Sequence, residues 1–160
     1  MTRRSPPPLR PGFWRDTPLA AMSRAEWEAL CDRCGRCCLI KLEDEDDGAV
    51  VYTDVHCRLY DPAKCACGNY DLRKLMVPDC VTLTPATLPE IAEWMPATCA
   101  YRRLHEGADL PDWHPLVTGD PDSTRRAGIA ADGRNPPGPL TPEWEVADDD
   151  LIDHAIEGML

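Results

Sequence analysis

The chain has 160 residues, a formal net charge of −11 at pH 7, and an unusual composition with 17 Pro, nine Cys and one Phe. A surface this acidic repels phosphate backbones and anionic headgroups, so we expect neither nucleic acid nor a membrane as a partner. No apolar run is long enough for an export signal or a membrane span. The sequence therefore predicts a cytoplasmic protein whose thiols stay reduced.

Length and composition also limit the fold. The length predicts one domain, over residues 17–160, and the Pro-rich residues 1–16 are interpreted as a tail that stays mobile or drapes over the surface. Pro lacks the amide donor and clashes with the preceding helical turn, which disfavours long helices and central strands. We predict a small, irregular α+β fold in which short helices and one β-hairpin are organised around a cysteine-rich metal centre.

The first predicted elements are a helix and a hairpin. Ser23 and Glu26 match a capping box, in which each side chain satisfies a backbone amide of the other, so a short helix should run from there into Cys31. Residues 39–43 and 49–53 are β-compatible and are separated by an acidic segment that ends in Asp-Gly. This pattern is typical of a β-hairpin.

Two more helices are predicted in the second half of the chain. Thr87 and Glu90 resemble another capping box, and Pro96 should end the helix that follows. A third helix should run through Cys99 and end at Gly107, since glycine suits the residue that follows a helix.

The last third of the chain contains few periodic segments. Turn-forming residues dominate 111–142, which we interpret as an extended loop. Residues 150–159 place several apolar side chains on one helical face, which predicts a short C-terminal helix that docks on the domain or contacts a protein partner.

The nine cysteines are the main functional signal, because four of them fall within eight residues. Two thiolates three positions apart can converge on one ion at roughly 2.3 Å, as in zinc and iron-sulfur sites. The candidate metal ligands are Cys31, Cys34, Cys37, Cys38, Cys57, Cys65, Cys67, Cys80 and Cys99.

Adjacent cysteines rarely bind one ion together, because neighbouring side chains point to different sides of a strand or helix. Cys37 and Cys38 therefore indicate either two centres or one centre beside a free thiolate. Nine thiols suit two four-cysteine sites with one left over, or a polynuclear cluster with fewer ligands. Cys80 and Cys99 are isolated in sequence, and small buried hydrophobes are an alternative interpretation for both.

The segment 31–38, CDRCGRCC, resembles the signature of the CxxCxxCC family, which is described as a zinc- or iron-chelating domain. The chain is most similar to the YcgN-type branch of this YkgJ-like family, over about residues 20–155. The resemblance continues through the blocks Cys57-Arg58, Cys65-x-Cys67, Asn69-Tyr70, Pro78-Asp79-Cys80, Leu88-Pro89, Met95-Pro96, Thr98-Cys99-Ala100-Tyr101-Arg102 and Leu110-Pro111-x-Trp113-His114-Pro115-Leu116.

This resemblance implies a metal chelator of the bacterial cytoplasm, without a particular reaction; related cysteine clusters are attached to protein methylases. His56 and His105 lie outside the family pattern and inherit no ligand role. Gly68 stands where a basic residue is expected. His114 lies in a matching block, where it could complete a mixed sulfur and nitrogen site, but we favour a structural role that holds its loop.

Several arginines lie near the cysteines. Positive charge lowers the pKa of a thiol and stabilises an anionic cluster, although arginines also pair with surface carboxylates, which are abundant here. These arginines are Arg33, Arg36, Arg58, Arg102 and Arg103.

The pattern predicts a metal-binding protein whose centre, which holds zinc ions, iron ions or an iron-sulfur cluster, is required for folding. One alternative is a redox or metal-dependent enzyme that uses an open metal position or a free thiolate. Another is a non-catalytic adaptor that contacts a protein through its C-terminal helix. Thiolates bind both metals, so the sequence does not choose between them. Nucleotide-binding and hydrolase motifs are absent.

Overall fold

A computed structural model describes residues 8–157, and its main β element is an antiparallel hairpin. Strand β1 (Leu39–Glu43) pairs with β2 (Val50–His56), and the turn between them includes Gly48 at φ +71°. The register shifts between Leu39 and Lys41, which marks a bulge close to the cysteine motif. The predicted hairpin is confirmed.

Three other short pairings complete the β structure. Strand β3 (Tyr60–Asp61) and β4 (Ala66–Cys67) form a small second hairpin. Strand β5 (Thr141–Pro142) runs parallel to the end of β2, and β6 (Ala155–Ile156) runs antiparallel to its middle. The chain thus returns twice to β2, which is the central strand of the larger sheet.

The helices are short, as the proline content predicts. The α-helices are α1 (Phe13–Asp16), α2 (Arg24–Ala29), α3 (Arg73–Met76), α4 (Leu88–Ile91), α5 (Ala100–His105), α6 (Pro115–Thr118) and α7 (Ser123–Arg126). Short 3-10 helices span Leu19–Ala21, Arg36–Cys38, Ala92–Trp94, Glu143–Glu145 and Asp148–His154.

The capping box of α2 is confirmed, and the one predicted for α4 is not formed. Ser23 Oγ accepts a hydrogen bond from the Glu26 amide at 3.1 Å, and the Glu26 carboxylate accepts one from the Ser23 amide at 3.0 Å. At α4, the hydroxyl groups of Thr84 and Thr87 instead accept hydrogen bonds from each other's amides. That exchange satisfies the Thr87 hydroxyl locally and leaves it no role as a helix cap.

Two hydrophobic clusters hold these elements together. The larger one packs α2, α4 and α5 through residues that include Leu30, Leu88 and Met95, and it contains Cys99. Phe13 belongs to it too, with 2% of its surface exposed, although it lies in the predicted tail. Residues 8–16 thus lie on the surface, and the Phe13 side chain inserts into the cluster. Residues 1–7 are outside the described part of the chain. The smaller cluster is centred on Leu39 and packs beneath the sheet.

The short C-terminal helix predicted for residues 150–159 ends at His154 in the structure, and residues 158–160 lie outside the described part of the chain. Its described part is a 3-10 helix over Asp148–His154, which leads into β6. Ile156 pairs with Tyr52, and His154 Nδ1 lies 2.6 Å from an Asp54 carboxylate oxygen. Strand pairing with β2 outcompetes helix continuation here. Residues 111–142, for which the sequence predicts an extended loop, include α6 and α7.

None of the helices within residues 8–157 has both the length and the apolar character needed to cross a bilayer.

Candidate metal centre

The cysteine motif lies in a tight loop between α2 and β1. The Asp32 carboxylate is buried and accepts a hydrogen bond from the Cys34 amide at 3.1 Å, which closes an Asx turn. Arg33 and Gly35 adopt left-handed backbone conformations at φ +58° and +72°. The loop then enters the 3-10 helix that carries Cys37. These turns fold the CxxCxxC segment back on itself.

Gly35 is the point where this loop meets the second hairpin. A Cβ atom at Gly35 would lie 1.8 Å from the Tyr60 hydroxyl oxygen, so no other residue fits without displacing the ring. The Tyr60 hydroxyl in turn donates to the Ala131 carbonyl at 2.7 Å, and the Ala131 amide donates to the Cys34 carbonyl at 2.7 Å. The loop, the hairpin and the segment near residue 131 therefore hold one another in place.

His114 anchors the other end of the loop. It is fully buried, its Nδ1 accepts a hydrogen bond from the Leu116 amide at 3.0 Å, and its Nε2 donates to the Leu30 carbonyl at 2.8 Å. Both ring nitrogens are thus occupied, which supports the structural role and leaves none for a metal. Arg36 is also buried and donates to the Ile129 carbonyl at 2.9 Å.

Four cysteines line one cavity of about 40 Å³ beside the larger hydrophobic cluster. We call them the first thiol group: Cys31, Cys34, Cys37 and Cys99. Cys34 and Cys99 are buried, whereas Cys31 and Cys37 are exposed. The cavity therefore extends from the protein interior to the surface, and its volume exceeds the ~10–15 Å³ that one water needs.

The donor chemistry of this cavity fits a zinc or iron ion, which thiolates bind in tetrahedral sites. All nine cysteines are free thiols. With the side chains in these conformations, however, no three Cys, His, Asp or Glu groups within residues 8–157 are close enough to hold one ion. Rotation of the cysteine side chains around the shared cavity is required for the four sulfurs to converge.

Three of these thiols resist ionisation in the metal-free protein. Burial raises the pKa of Cys34 well above its ordinary value, and the buried Asp32 carboxylate raises it further. Burial also raises the pKa of Cys99 to about 12. The pKa of Cys31 is raised to about 12 by the dense protein around its thiol and then by Cys37, although the residue keeps exposed surface. These thiols are protonated at neutral pH, and a metal must displace their protons.

We predict that zinc affinity rises steeply with pH between about 6 and 8, because each displaced proton contributes a factor of about ten per pH unit. The sign follows from the raised pKa values, since protons and metal compete for the same sulfurs. Competition with a chromophoric chelator at several pH values measures this slope. A pH-independent affinity would show that thiols are not the ligands.

Cys37 differs from its neighbours, because its pKa is lowered to about 7. The adjacent Cys38 thiol stabilises the Cys37 thiolate, burial opposes this, and the Lys41 ammonium group contributes a further lowering. Lys41 Nζ donates to the carbonyls of Cys37 and Leu39 at 2.8 and 3.1 Å. Sequence reasoning considered only arginines as cations and missed Lys41. Its position in the sequence, three residues after the motif, could have identified it as a cation close to the cysteines.

Replacing Lys41 with Met should weaken zinc binding by about tenfold, since the Cys37 thiolate loses a stabilising positive charge while the aliphatic stem is kept. Lys41→Arg keeps the charge and serves as the control. Chelator competition gives the affinity, and the pH profile of iodoacetamide reaction gives the pKa of Cys37, which should rise in Lys41→Met. Equal behaviour of Lys41→Met and the wild type would exclude this electrostatic role.

The other predicted site residues lie outside the cavity. Cys38, Cys57, Cys67 and Cys80 are half-buried, and Cys65 is buried elsewhere. Three of the nearby arginines make structural contacts. Arg58 pairs with Glu143, Arg102 donates to the Met95 carbonyl, and Arg103 donates to the Asp109 carbonyl. His56 donates to the Cys57 carbonyl, and His105 is exposed.

A comparison with known protein families matches the cysteine-rich part of the chain. The sequence profile described as "Putative zinc- or iron-chelating domain", CxxCxxCC, matches residues 30–100, which contain the whole first thiol group. No solved structure matches the chain significantly.

Similar sequences cover most of the chain. A "UPF0260 protein" of Caulobacter vibrioides is 57% identical over 77% of this chain and 75% of its own length. One from Rhizorhabdus wittichii is 49% identical over 92% of this chain and 96% of its own, and one from Azotobacter vinelandii is 51% identical over 90% and 93%. These identities over three quarters or more of each chain confirm the resemblance, and the chain belongs to the UPF0260 family of proteins with a CxxCxxCC domain.

Proposed function

We propose that this chain is a metal-binding protein whose first thiol group holds a zinc or iron centre, the latter as an ion or an iron-sulfur cluster. The observation that carries the proposal is the shared cavity, because it unites the three motif cysteines with Cys99, which lies 62 residues beyond Cys37. Chance burial of small hydrophobic cysteines does not account for four thiols around one opening.

The proposed centre has a structural consequence. Cys31 follows Leu30, which is fully buried in the larger hydrophobic cluster, and Cys99 is the residue that precedes α5. A metal bound by both would link α2, the motif loop and α5 with one cross-link. In a chain with short helices, such a link supplies stability that secondary structure does not.

The test is the metal content of Cys99→Ser, with Thr98→Ser in the same turn as the control. Serine keeps the size of cysteine but is a poor ligand for zinc and iron, so Cys99→Ser should lose the centre while Thr98→Ser keeps it. Both variants are purified without oxygen and analysed for zinc, iron and sulfide. Wild-type metal content in Cys99→Ser would refute the assignment of Cys99.

A redox or metal-dependent enzyme is the second candidate. The exposure of Cys31 and Cys37 favours it, because a centre at the surface end of the cavity is accessible to a small molecule, and catalytic metal sites keep one open position. Rapid alkylation of a single cysteine in the metal-loaded protein would support this function. Uniform protection of the ligand cysteines would count against it.

We further propose that the protein works in the cytoplasm. Nine unpaired thiols, several of them exposed or half-buried, suit a reducing compartment better than an oxidising one.

A further inference from the structure

Exposed apolar side chains are concentrated around α3. Within residues 8–157, five of the nine large hydrophobic side chains that are exposed belong to this one segment, and Leu75 has 79% of its surface exposed. Monomeric proteins rarely expose large apolar patches, so such a concentration marks a contact with another molecule. We call it the α3 patch, and its apolar members are Tyr70, Leu72, Leu75, Met76 and Val81.

Contacts within the segment hold the α3 patch in shape. The Arg73 guanidinium lies over the Tyr70 ring, 3.7 Å from its centroid, and donates to the Tyr70 carbonyl at 2.5 Å. The Tyr70 hydroxyl donates to the Glu28 carboxylate at 3.1 Å, and Lys74 Nζ donates to the Cys80 carbonyl at 2.8 Å. Because these side chains are already ordered, they lose little conformational entropy when a partner binds.

The helix of the α3 patch is positively charged. Its two cations are Arg73 and Lys74, and neither forms an ion pair with a carboxylate within residues 8–157. Asp71 and Asp79 lie on either side of the helix, so the positive charge is confined to α3 itself. The patch therefore fits a partner surface that is both apolar and acidic.

The same chain carries a surface of that kind. Residues 143–153 contain six carboxylates and no Lys or Arg, and Trp144 and Ile152 in this stretch are 66% and 64% exposed. We call residues 144–153 the acidic patch. Among residues 8–157, no lysine or arginine pairs with its carboxylates, whereas Glu143 at its edge pairs with Arg58.

The two patches are neighbours on the surface. Arg58 Nη1 donates to the Glu143 carboxylate at 3.0 Å, and Nη2 of the same side chain donates to the Met76 carbonyl at 2.5 Å. The Trp144 ring packs edge-on against His56, two residues before Arg58, at 6.1 Å between centroids. One guanidinium group thus spans the distance between the α3 patch and the acidic patch.

We propose that these patches form a two-fold interface between two copies of this chain, in which the α3 patch of each copy contacts the acidic patch of the other. A two-fold interface needs a self-complementary surface, and two adjacent patches of opposite charge with exposed apolar side chains provide one. Their adjacency lets both contacts form in a single dimer. The proposal goes beyond metal binding and does not depend on it, because neither patch contains a member of the first thiol group.

The test is the mass of the protein in solution, measured by sedimentation equilibrium from micromolar to near-millimolar concentrations. Reductant prevents cross-links between the free thiols, and an ionic strength of about 0.15 M limits repulsion between the acidic copies to roughly 8 Å. We expect a reversible equilibrium between the 17.8 kDa monomer and a dimer. A monomer at every concentration would overturn the proposal.

Leu75→Asp tests the α3 patch, because it places a carboxylate opposite the acidic patch of the other copy. The dissociation constant of the dimer should rise by about tenfold or more. Val117→Asp is the matched control, since Val117 is an apolar residue of α6, outside both patches, and is 43% exposed. An unchanged dissociation constant in Leu75→Asp, or an equal rise in Val117→Asp, would overturn the assignment of this surface.

Charge reversal tests the reciprocal arrangement. Arg73→Glu with Lys74→Glu reverses the helix of the α3 patch, and Asp149→Lys with Asp150→Lys adds positive charge to the acidic patch. Each double variant should dimerise at least about tenfold more weakly than the wild type. A mixture of the two should form a one-to-one dimer, because each altered patch then meets its complement. A mixture that stays monomeric would overturn the arrangement.

Discussion

Chelation of the bound metal should abolish the cooperative thermal unfolding of this protein and most of its near-ultraviolet circular dichroism. Structural zinc contributes about 10–16 kcal/mol to small zinc domains, whereas the total stability of a native protein is about 5–15 kcal/mol. The α-helices within residues 8–157 have at most six residues, and several strands have two, so secondary structure alone offers little compensation.

The metal is expected to stabilise the larger hydrophobic cluster from two sides. Cys99 is part of that cluster, and Leu30 precedes the first motif cysteine, so loss of the metal releases the chain on both sides of the core. Scanning calorimetry and circular dichroism before and after chelation measure the effect, and readdition of zinc should restore it. A chelated protein that keeps its spectrum and its cooperative transition would contradict the folding role.

Replacing Gly35 with Ala should destabilise the metal-loaded protein by roughly 3 kcal/mol or more. The left-handed conformation at φ +72° costs an alanine about 1–2 kcal/mol. The larger part comes from Tyr60, whose hydroxyl oxygen would lie 1.8 Å from the new Cβ. The ring must move, which breaks its hydrogen bond to Ala131 in a buried environment.

Gly119→Ala is the matched control for this prediction. Gly119 has φ +73°, nearly the value at Gly35, but a Cβ there would meet nothing within 4 Å. Urea denaturation of both zinc-loaded variants gives their free energies of unfolding. Gly119→Ala reports backbone strain alone, and the excess loss in Gly35→Ala reports the Tyr60 clash. Equal losses in the two variants would show that the contact between the motif loop and the second hairpin carries no stability.

The sequence predicted the features that depend on neighbouring residues. The capping box of α2 and the β1–β2 hairpin are local, because their partners lie a few positions apart. The CxxCxxC spacing likewise identified three members of the first thiol group without any knowledge of the fold.

Features that depend on tertiary packing could not be predicted in this way. The sequence made Cys99 a candidate ligand with a buried hydrophobe as the alternative, and the packing of α5 places it on the cavity. The pairing of Cys65 with Arg125 joins residues 60 positions apart, and no local pattern signals it. The burial of Phe13 and the pairing of the C-terminal strand with β2 likewise depend on contacts with residues that are distant in sequence.

The most direct test of the central claim is the zinc, iron and acid-labile sulfide content of protein purified without oxygen, together with its absorption spectrum. We expect stoichiometric metal that is lost on mutation of the first thiol group. Iron with sulfide and a broad visible band would identify a cluster, and zinc alone would identify tetrathiolate sites. Protein that folds and carries neither metal would contradict the proposed metal binding.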